Sequence, residues 1–279
     1  MTLTEPISRT ALLTAAARAR ETEREGAILR DPYARALAGD EGMRMLDAQG
    51  DERPVASLAV RGRFIDDALA AALAGGVRSV VLLAAGLDAR AYRMPLPRDV
   101  TWLEVDRAAV LAYKRGVLGA ATPAVPIADI AADVRDAALG AILVGRGLDA
   151  SRPVAWIAEG LFPYLDEAEA NRLLAAIAAS SAAGSTLLFD TPSRASLDPA
   201  GPMGRHLAEL AASGAPWRFG TDDPGALVRA HGFAADVVHV GHPRAHFGRL
   251  ASPPREAPAK GAPVTWLVRA EREGVSSPR

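Results

Sequence analysis

Ser79-Val80-Val81-Leu82-Leu83-Ala84-Ala85-Gly86-Leu87-Asp88 is followed, 13 residues after Asp88, by Thr101-Trp102-Leu103-Glu104-Val105-Asp106. A five-residue apolar run that stops at small residues and a glycine fits a strand buried on both faces and closed by a tight turn. The second run ends in a carboxylate, Asp106, 20 residues beyond Gly86. Further short apolar runs predict strands at 124–128, 154–158 and 186–189. Amphipathic stretches at 107–118, 134–144 and 166–181 predict the helices between them. Strands that alternate with helices imply βαβ units, right-handed crossovers and a doubly wound, mostly parallel α/β sheet.

Outward from this core the pattern changes at both ends. The first fifty residues read as helices: Ser8 and Thr10 are candidate N-caps for a run over 11–25, and Asp31-Pro32-Tyr33 reads as a cap with proline in the first turn. A helix over 55–73 stops at Gly75-Gly76. On the other side, 191–220 is rich in Pro, Gly and Ser, with a helix expected near 203–211. A helix at 224–231, a strand near 235–240, a proline-rich loop at 252–263 and a strand at 264–269 finish the chain, and two late strands suggest an antiparallel pair at the sheet edge. The division expected is a helical cap over 1–54, a catalytic domain over 55–272 whose 191–222 segment covers the acceptor, and a frayed tail over 273–279, all in one structural unit.

Composition narrows the function. The 279 residues include no cysteine, which excludes disulfides, cysteine-ligated metals and thiol catalysis. The net charge is −1 from 32 basic and 33 acidic residues interspersed, without the basic stripe that holds nucleic acid. No apolar run approaches the ~18 residues of a membrane span, and Met1-Thr2-Leu3-Thr4-Glu5-Pro6 lacks the features of a secretory signal. A cytoplasmic protein with a small-molecule substrate is the expectation.

Small residues or carboxylates stand at the ends of four successive strands: Ala84-Ala85-Gly86, Asp106, Asp129-Ile130 and Glu159-Gly160. In open parallel sheets, ligands bind along that edge. Gly86 lets backbone approach a ligand, and Asp106 suits the two hydroxyls of a ribose. Asp129 can accept an adenine amino hydrogen with Ile130 against the ring, and Glu159 would lie by the far end of the ligand. Structural readings compete: Asp88 as a helix N-cap, Asp106 as the cap of 107–118, Asp129 as a turn residue. Arg61 shares a helical face with Leu58, Ile65 and Leu69, while Arg63 points away. A cation on an apolar stripe needs an anion, either an internal carboxylate or that of a ligand. Asp88 in the first turn disfavours a pyrophosphate and suits a ligand with a zwitterionic amino-acid end.

Leu82-Leu83-Ala84-Ala85-Gly86-Leu87-Asp88-Ala89-Arg90-Ala91-Tyr92-Arg93 resembles a signature of the leucine carboxyl methyltransferase family, which includes tetracenomycin-type polyketide O-methyltransferases. Thr10–Ala19, Asp31-Pro32-Tyr33-Ala34, Glu104-Val105-Asp106 and Ala155–Leu165 resemble further motifs, so the likeness runs in order over about 8–190. It implies a class I, Rossmann-like, seven-stranded fold and an S-adenosylmethionine cofactor released as S-adenosylhomocysteine. The cofactor-binding residues implied are Arg18, Arg61, Ala84, Gly86, Asp106, Asp129, Ile130 and Glu159, with Glu159 and Tyr164 at the reacting end and no metal. Ala84 stands where the family has its first glycine, and Ala89 where it has threonine. Periodicity sets Arg20 rather than Arg18 nearer the apolar side of Leu12, Leu13 and Ala16.

A carboxylate acceptor is already ionised at pH 7, whereas a phenol, with a pKa near ~10, gains from a base. His239, His242 and His246 cluster, with His206 and His231 nearby, and are open to surface, metal or base roles. Trp217, Phe219 and Phe247 are candidates for an acceptor pocket or for ordinary core. O-methylation of a small acid or phenol in polyketide-like metabolism is the reading, against a nicotinamide-dependent oxidoreductase and a non-catalytic cofactor-binding relative.

Overall fold

A computed structural model describes residues 6–250, 252–259 and 261–274, with side chains from Arg9 onward. Expectations for Met1–Glu5, the Ser8 side chain and the last five residues lie outside the described residues.

Seven strands form one sheet in the order β3-β2-β1-β4-β5-β7-β6. β1 (Ser79–Leu83) pairs in parallel with β2 (Thr101–Asp106) on one side and β4 (Val154–Ala158) on the other. β3 (Ile127–Ala131) and β5 (Thr186–Pro192) extend the parallel ladder outward. β7 (Thr265–Arg272) inserts antiparallel between β5 and β6 (Phe233–His239). This is the mostly parallel, doubly wound sheet that the alternating pattern predicts, finished by an antiparallel edge. The chain order reverses between β1 and β4, which opens a crevice at their carboxyl ends.

Both faces of the sheet are covered. Val81, Leu83, Leu103, Val105 and Trp156 point to one core with α6 (Leu139–Gly145) and α7 (Glu167–Ala179). Val80, Leu82, Trp102 and Ile157 point to the other, under Ile65, Leu69 and Leu73 of α3 (Arg53–Ala74). Burial on both faces is why β1 and β4 read as continuous apolar runs. α7 starts on a capping box: Asp166 accepts the Glu169 amide at 2.7 Å, and Glu169 accepts the Asp166 amide at 2.8 Å.

α1 (Pro6–Thr22) and α2 (Ala34–Gln49) pack through Leu12, Ala16, Leu37 and Leu46. The same cluster takes in Leu87 from the turn after β1 and Val110 and Leu118 of α5 (Ala108–Leu118), so the N-terminal helices rest on the strand ends. Thr10 lies inside α1 rather than at its cap. The remaining helices are short: α4 (Arg90–Arg93), α8 (Gly204–Ala212) and α9 (Pro224–Arg229), with 3₁₀ turns at Phe162–Tyr164 and Arg194–Leu197.

Two expected elements shift. β3 starts at Ile127, paired with Trp102, not at 124, because Pro126 has no amide to donate to the ladder. The helix expected over 134–144 starts only at Leu139, because Asp133 accepts the Arg135 amide at 2.9 Å and Asp136 the Ala138 amide at 2.8 Å. Such Asx turns compete with helix for the same backbone. No described helix is long and apolar enough to cross a membrane.

Candidate active site

The crevice opens into a cavity of about 1370 Å³. Single-ligand sites usually measure roughly 300–1,000 Å³, so this one has room for a cofactor and an acceptor together. Its floor is the turn after β1. One wall is α1 with the start of α3, and the other is the Phe162–Tyr164 turn with α8.

The floor follows from local conformation. Ala84 (φ 54°) and Gly86 (φ 51°) both turn left-handed. The reversal aims the Gly86 amide at Asp106, whose Oδ2 accepts it at 2.7 Å, while Oδ1 accepts the Arg107 amide at 2.7 Å. Each oxygen keeps a further lone pair for a ligand. Burial pushes the Asp106 carboxyl up, against the pull of the Gly86 and Arg107 amides. Asp106 thus holds the two turns that flank it and faces the cavity, without capping α5, whose N-cap position is Arg107.

Asp129 and Ile130 are not among the described residues that line the cavity. This corrects the expectation that they meet an adenine. The later start of β3 leaves both inside the strand: Arg115 Nε holds Asp129 Oδ2 at 2.8 Å, and Ile130 is buried in the core beneath the sheet. The chain leaves β3 at Ala131, and Asp133 and Val134 reach the cavity instead.

At the ends of β4 and β5 the cavity meets a dense ion network. Arg61 donates from Nε to Glu159 at 2.9 Å and from Nη1 to Asp190 at 3.1 Å. Arg90 Nη2 reaches the other Glu159 oxygen at 2.8 Å, its Nε reaches Asp66 at 2.7 Å, and its Nη1 pairs with Asp88. Arg93 adds a 2.6 Å bond to Asp66. Burial pushes Glu159 up, but Arg90, Arg61 and Arg18 overcome it and hold its carboxyl well below the usual carboxylate range. For Asp190 burial wins over Arg61, and its carboxyl is raised. Arg61 therefore meets internal carboxylates, one of the two partners foreseen, and it still lines the cavity.

Arg18 also faces the cavity, held by Asp31 at 2.9 Å and by the Leu87 carbonyl at 2.7 Å. Arg20, which periodicity set nearer the apolar side, instead bonds Asp47 and Glu52 at the surface. Asp88 accepts the Arg90 amide at 2.6 Å, a capping contact, while also lining the cavity. The sequence reading passed over Asp190, Arg90 and Asp133. Asp190 directly follows the apolar run 186–189 in the sequence, as Glu159 follows 154–158, and was within reach of the same rule.

The opposite wall is apolar and aromatic. Tyr164 sits against Trp217 and Thr10; burial raises its hydroxyl pKa although both neighbours lower it. His206 on α8 meets the Trp217 edge, ring centroids 5.5 Å apart, and burial lowers its imidazole.

Other candidates lie elsewhere. Phe219 packs on Phe162 in the core, and Phe247 lies under the Arg63 guanidinium, 5.4 Å from it. His239, His242 and His246 brace the loop after β6, through the Arg255 carbonyl, Glu256 and the Ser252 carbonyl. No cluster of metal-ligating residues occurs among the described residues.

Comparison with known proteins adds to this geometry. A family model described as leucine carboxyl methyltransferase matches residues 11–178. A Mycolicibacterium gilvum protein named as an S-adenosyl-L-methionine-dependent methyltransferase is 40% identical over 218 residues, 70% of this chain and 71% of its own. A Streptomyces avermitilis protein with the same kind of name is 37% identical over 275 residues, 93% of this chain and 95% of its own. The crystal structure of a DUF574-family protein from Streptomyces avermitilis has a TM-score of 0.65 at 19% identity, covering 93% of this chain and 97% of that one. A Thermobifida fusca protein described as a methyltransferase gives 0.61 at 20% identity, with 95% and 94% covered. At these identities the two structures speak for the fold alone.

Proposed function

This chain belongs to the leucine carboxyl methyltransferase family of S-adenosylmethionine-dependent enzymes, and we propose that it methylates an oxygen of a small-molecule carboxylate or phenol, of the kind met in polyketide-like metabolism.

One observation carries the cofactor assignment at residue level: the charge balance of the network beside Asp106. Arg61, Arg90 and Arg93 face Asp66, Asp88, Glu159 and Asp190, three positive groups against four negative. This negative excess, to which Asp106 adds, complements a ligand that carries a sulfonium, an ammonium and one carboxylate. Asp106 suits the ribose hydroxyls because both its oxygens keep spare lone pairs. Asp133 and Val134 suit the adenine edge, and Gly86 and Ala84 form the floor. Asp88 in the first turn would repel the phosphates of a nicotinamide dinucleotide, which disfavours the oxidoreductase reading.

S-adenosylmethionine supplies, when bound, an electrophilic methyl group on a sulfonium. The protein's share is placement, and well-oriented reacting pairs reach effective molarities of about 10⁵ M or more. Glu159 and Asp190 stay locked on Arg61, so their charge is fixed before any ligand arrives. Tyr164, its pKa raised by burial, keeps its proton and serves as a hydrogen-bond donor near the reacting atoms. Trp217, Met203 and Leu210 offer an apolar bed for the acceptor, with 191–222 and the N-terminal helices as its cover.

Calorimetric titration with S-adenosylhomocysteine, followed by transfer of labelled methyl to a panel of phenols and acids, tests this. Binding together with labelled ether or ester supports it. No binding at high micromolar ligand, or a binder that labels only nitrogen or carbon, rejects it.

A further inference from the structure

We propose that His206 is a general base in the acceptor half of the cavity, and that the acceptor is therefore a neutral aromatic hydroxyl rather than a carboxylate. The inference rests on the methyltransferase reading and names its substrate class.

Two independent features support it. The first is the setting of the imidazole. His206 lies on α8, shares the apolar wall with Met203, Leu210 and Trp217, and has the Trp217 ring edge-on at 5.5 Å. Among the described residues it is the histidine that faces the cavity; His239 and His246 spend their rings on backbone carbonyls, His242 on Glu256 and His231 on Asn171. Glu209 on its own helix is the charged group that acts on it, and Arg205 and Tyr164, the latter against Trp217, line the same cavity. Of these, Glu209 draws a proton toward the ring, but burial outweighs it and holds the imidazole below its ordinary value. The ring is thus neutral at pH 7 and able to accept a proton.

The second feature is the charge ledger of the cavity wall. A carboxylate acceptor brings a negative charge into a low-dielectric site and needs a cation. Deep in the cavity, Arg18, Arg61, Arg90 and Arg93 each hold carboxylates. On the acceptor side, Arg205 pairs with Glu209 at 2.9 Å and Arg53 with Asp51 at 2.8 Å. Arg135 is taken by Asp133, and Arg107 is likewise engaged. Each of these arginines is paired already, and those on the acceptor side lie at the solvent-exposed rim of the cavity, whereas a neutral hydroxyl needs no cation until it reacts.

The step balances without a further reagent. The acceptor O–H proton passes to an imidazole nitrogen of His206, and the oxygen forms its bond to the methyl carbon. The carbon–sulfur bond breaks with its electron pair kept on sulfur as a thioether. The histidine then returns its proton to water.

The test uses the full chain with S-adenosylhomocysteine bound, and naphthol and naphthoate as matched probes. At pH 7.5, naphthol is expected to bind roughly tenfold tighter than naphthoate. Naphthol affinity is expected to hold through the ordinary imidazole range near ~6.5 and to fall only at lower pH, where the buried ring protonates and no longer accepts the hydroxyl proton. In H206Q that pH dependence disappears, S-adenosylhomocysteine affinity is unchanged, and methylation of naphthol drops about 10²–10⁴-fold. The wild-type pH dependence requires no variant, so it decides the matter even if the substitution unfolds α8. Naphthoate binding as tightly as naphthol, naphthol failing to bind, or H206Q keeping wild-type turnover would overturn the proposal. Loss of S-adenosylhomocysteine binding by the wild type would instead reject the cofactor assignment on which it stands.

Discussion

Glu159 and Arg61 stand 98 residues apart in the chain and 2.9 Å apart in the fold. The contact ties the end of β4 to the face of α3, and Arg90 fastens the second carboxylate oxygen to the turn after β1. Three segments that converge on the cavity are thus held by one carboxylate. The site is built before a ligand enters, which is what electrostatic preorganisation requires.

Removing that carboxylate should be felt by the whole fold. Glu159→Gln keeps the shape and leaves Arg61 and Arg90 short of a partner, a loss of about 3 kcal/mol for a largely buried pair. The effect has a pH signature. The arginines hold the folded carboxyl below its ordinary value of about 4.3. Its stabilisation is complete above that value and fades as pH falls toward the folded one. Denaturant midpoints of wild type and variant should therefore differ most near pH 7 and begin to approach each other below about pH 4. A gap that stays constant down to pH 3 would mean that Glu159 acts through packing alone.

Asp106→Ala should weaken S-adenosylhomocysteine binding by roughly 1–3 kcal/mol, because two hydroxyls would lose their acceptor in a buried site. It also frees the Gly86 amide, so some of the loss comes from the turn. Calorimetry of Asp106→Asn separates the two: the amide oxygen can still hold Gly86, but the charge is gone. Full affinity in the alanine variant would remove the ribose assignment.

The sheet was legible because both-face burial writes β1 and β4 as plain apolar runs. Gly86, Asp106 and Glu159 were legible because strand ends in a parallel sheet share one edge. What was not legible was register. A proline at the start of β3 and two Asx turns after it moved the exit of that strand, and the carboxylate at the cavity became Asp133 instead of Asp129. Asp190 directly follows the run expected to form the strand and was within reach of the same rule, although pairing with β7 carries β5 on to Pro192 and sets Asp190 inside it. Arg18 over Arg20 depends on where Asp31 and Leu87 fall in three dimensions, which helix period alone does not encode.

That correction is itself testable. Asp133→Ala is expected to weaken S-adenosylhomocysteine binding about tenfold by removing a polar contact at the adenine edge. Asp129→Ala is expected to leave affinity nearly unchanged and to lower stability, since Arg115 would lose a two-pronged partner and keep Glu104 and the Tyr92 hydroxyl. Paired titration and thermal unfolding of the two variants read this directly. The reverse pattern would return the role to Asp129.

The floor of the site gives a last pair of opposed expectations. Ala84 holds a φ of 54°, which for an L-residue costs about 1–2 kcal/mol. Glycine there removes that strain and gives back roughly 0.5–1 kcal/mol in chain entropy, so Ala84→Gly should stabilise the fold by up to about 1 kcal/mol. Gly86 has φ 51° with open space around a new methyl, the nearest atoms lying at 3.8 Å. Gly86→Ala therefore meets strain but no clash, and should destabilise by about 1–2 kcal/mol. Thermal unfolding should move the two midpoints in opposite directions, by roughly 2–4 °C per kcal/mol for a chain of this size class. Because neither change removes a donor from Asp106, both variants should still bind S-adenosylhomocysteine; if Ala84→Gly alone tightened binding, strain at this turn would be acting on the cofactor as well as on the fold.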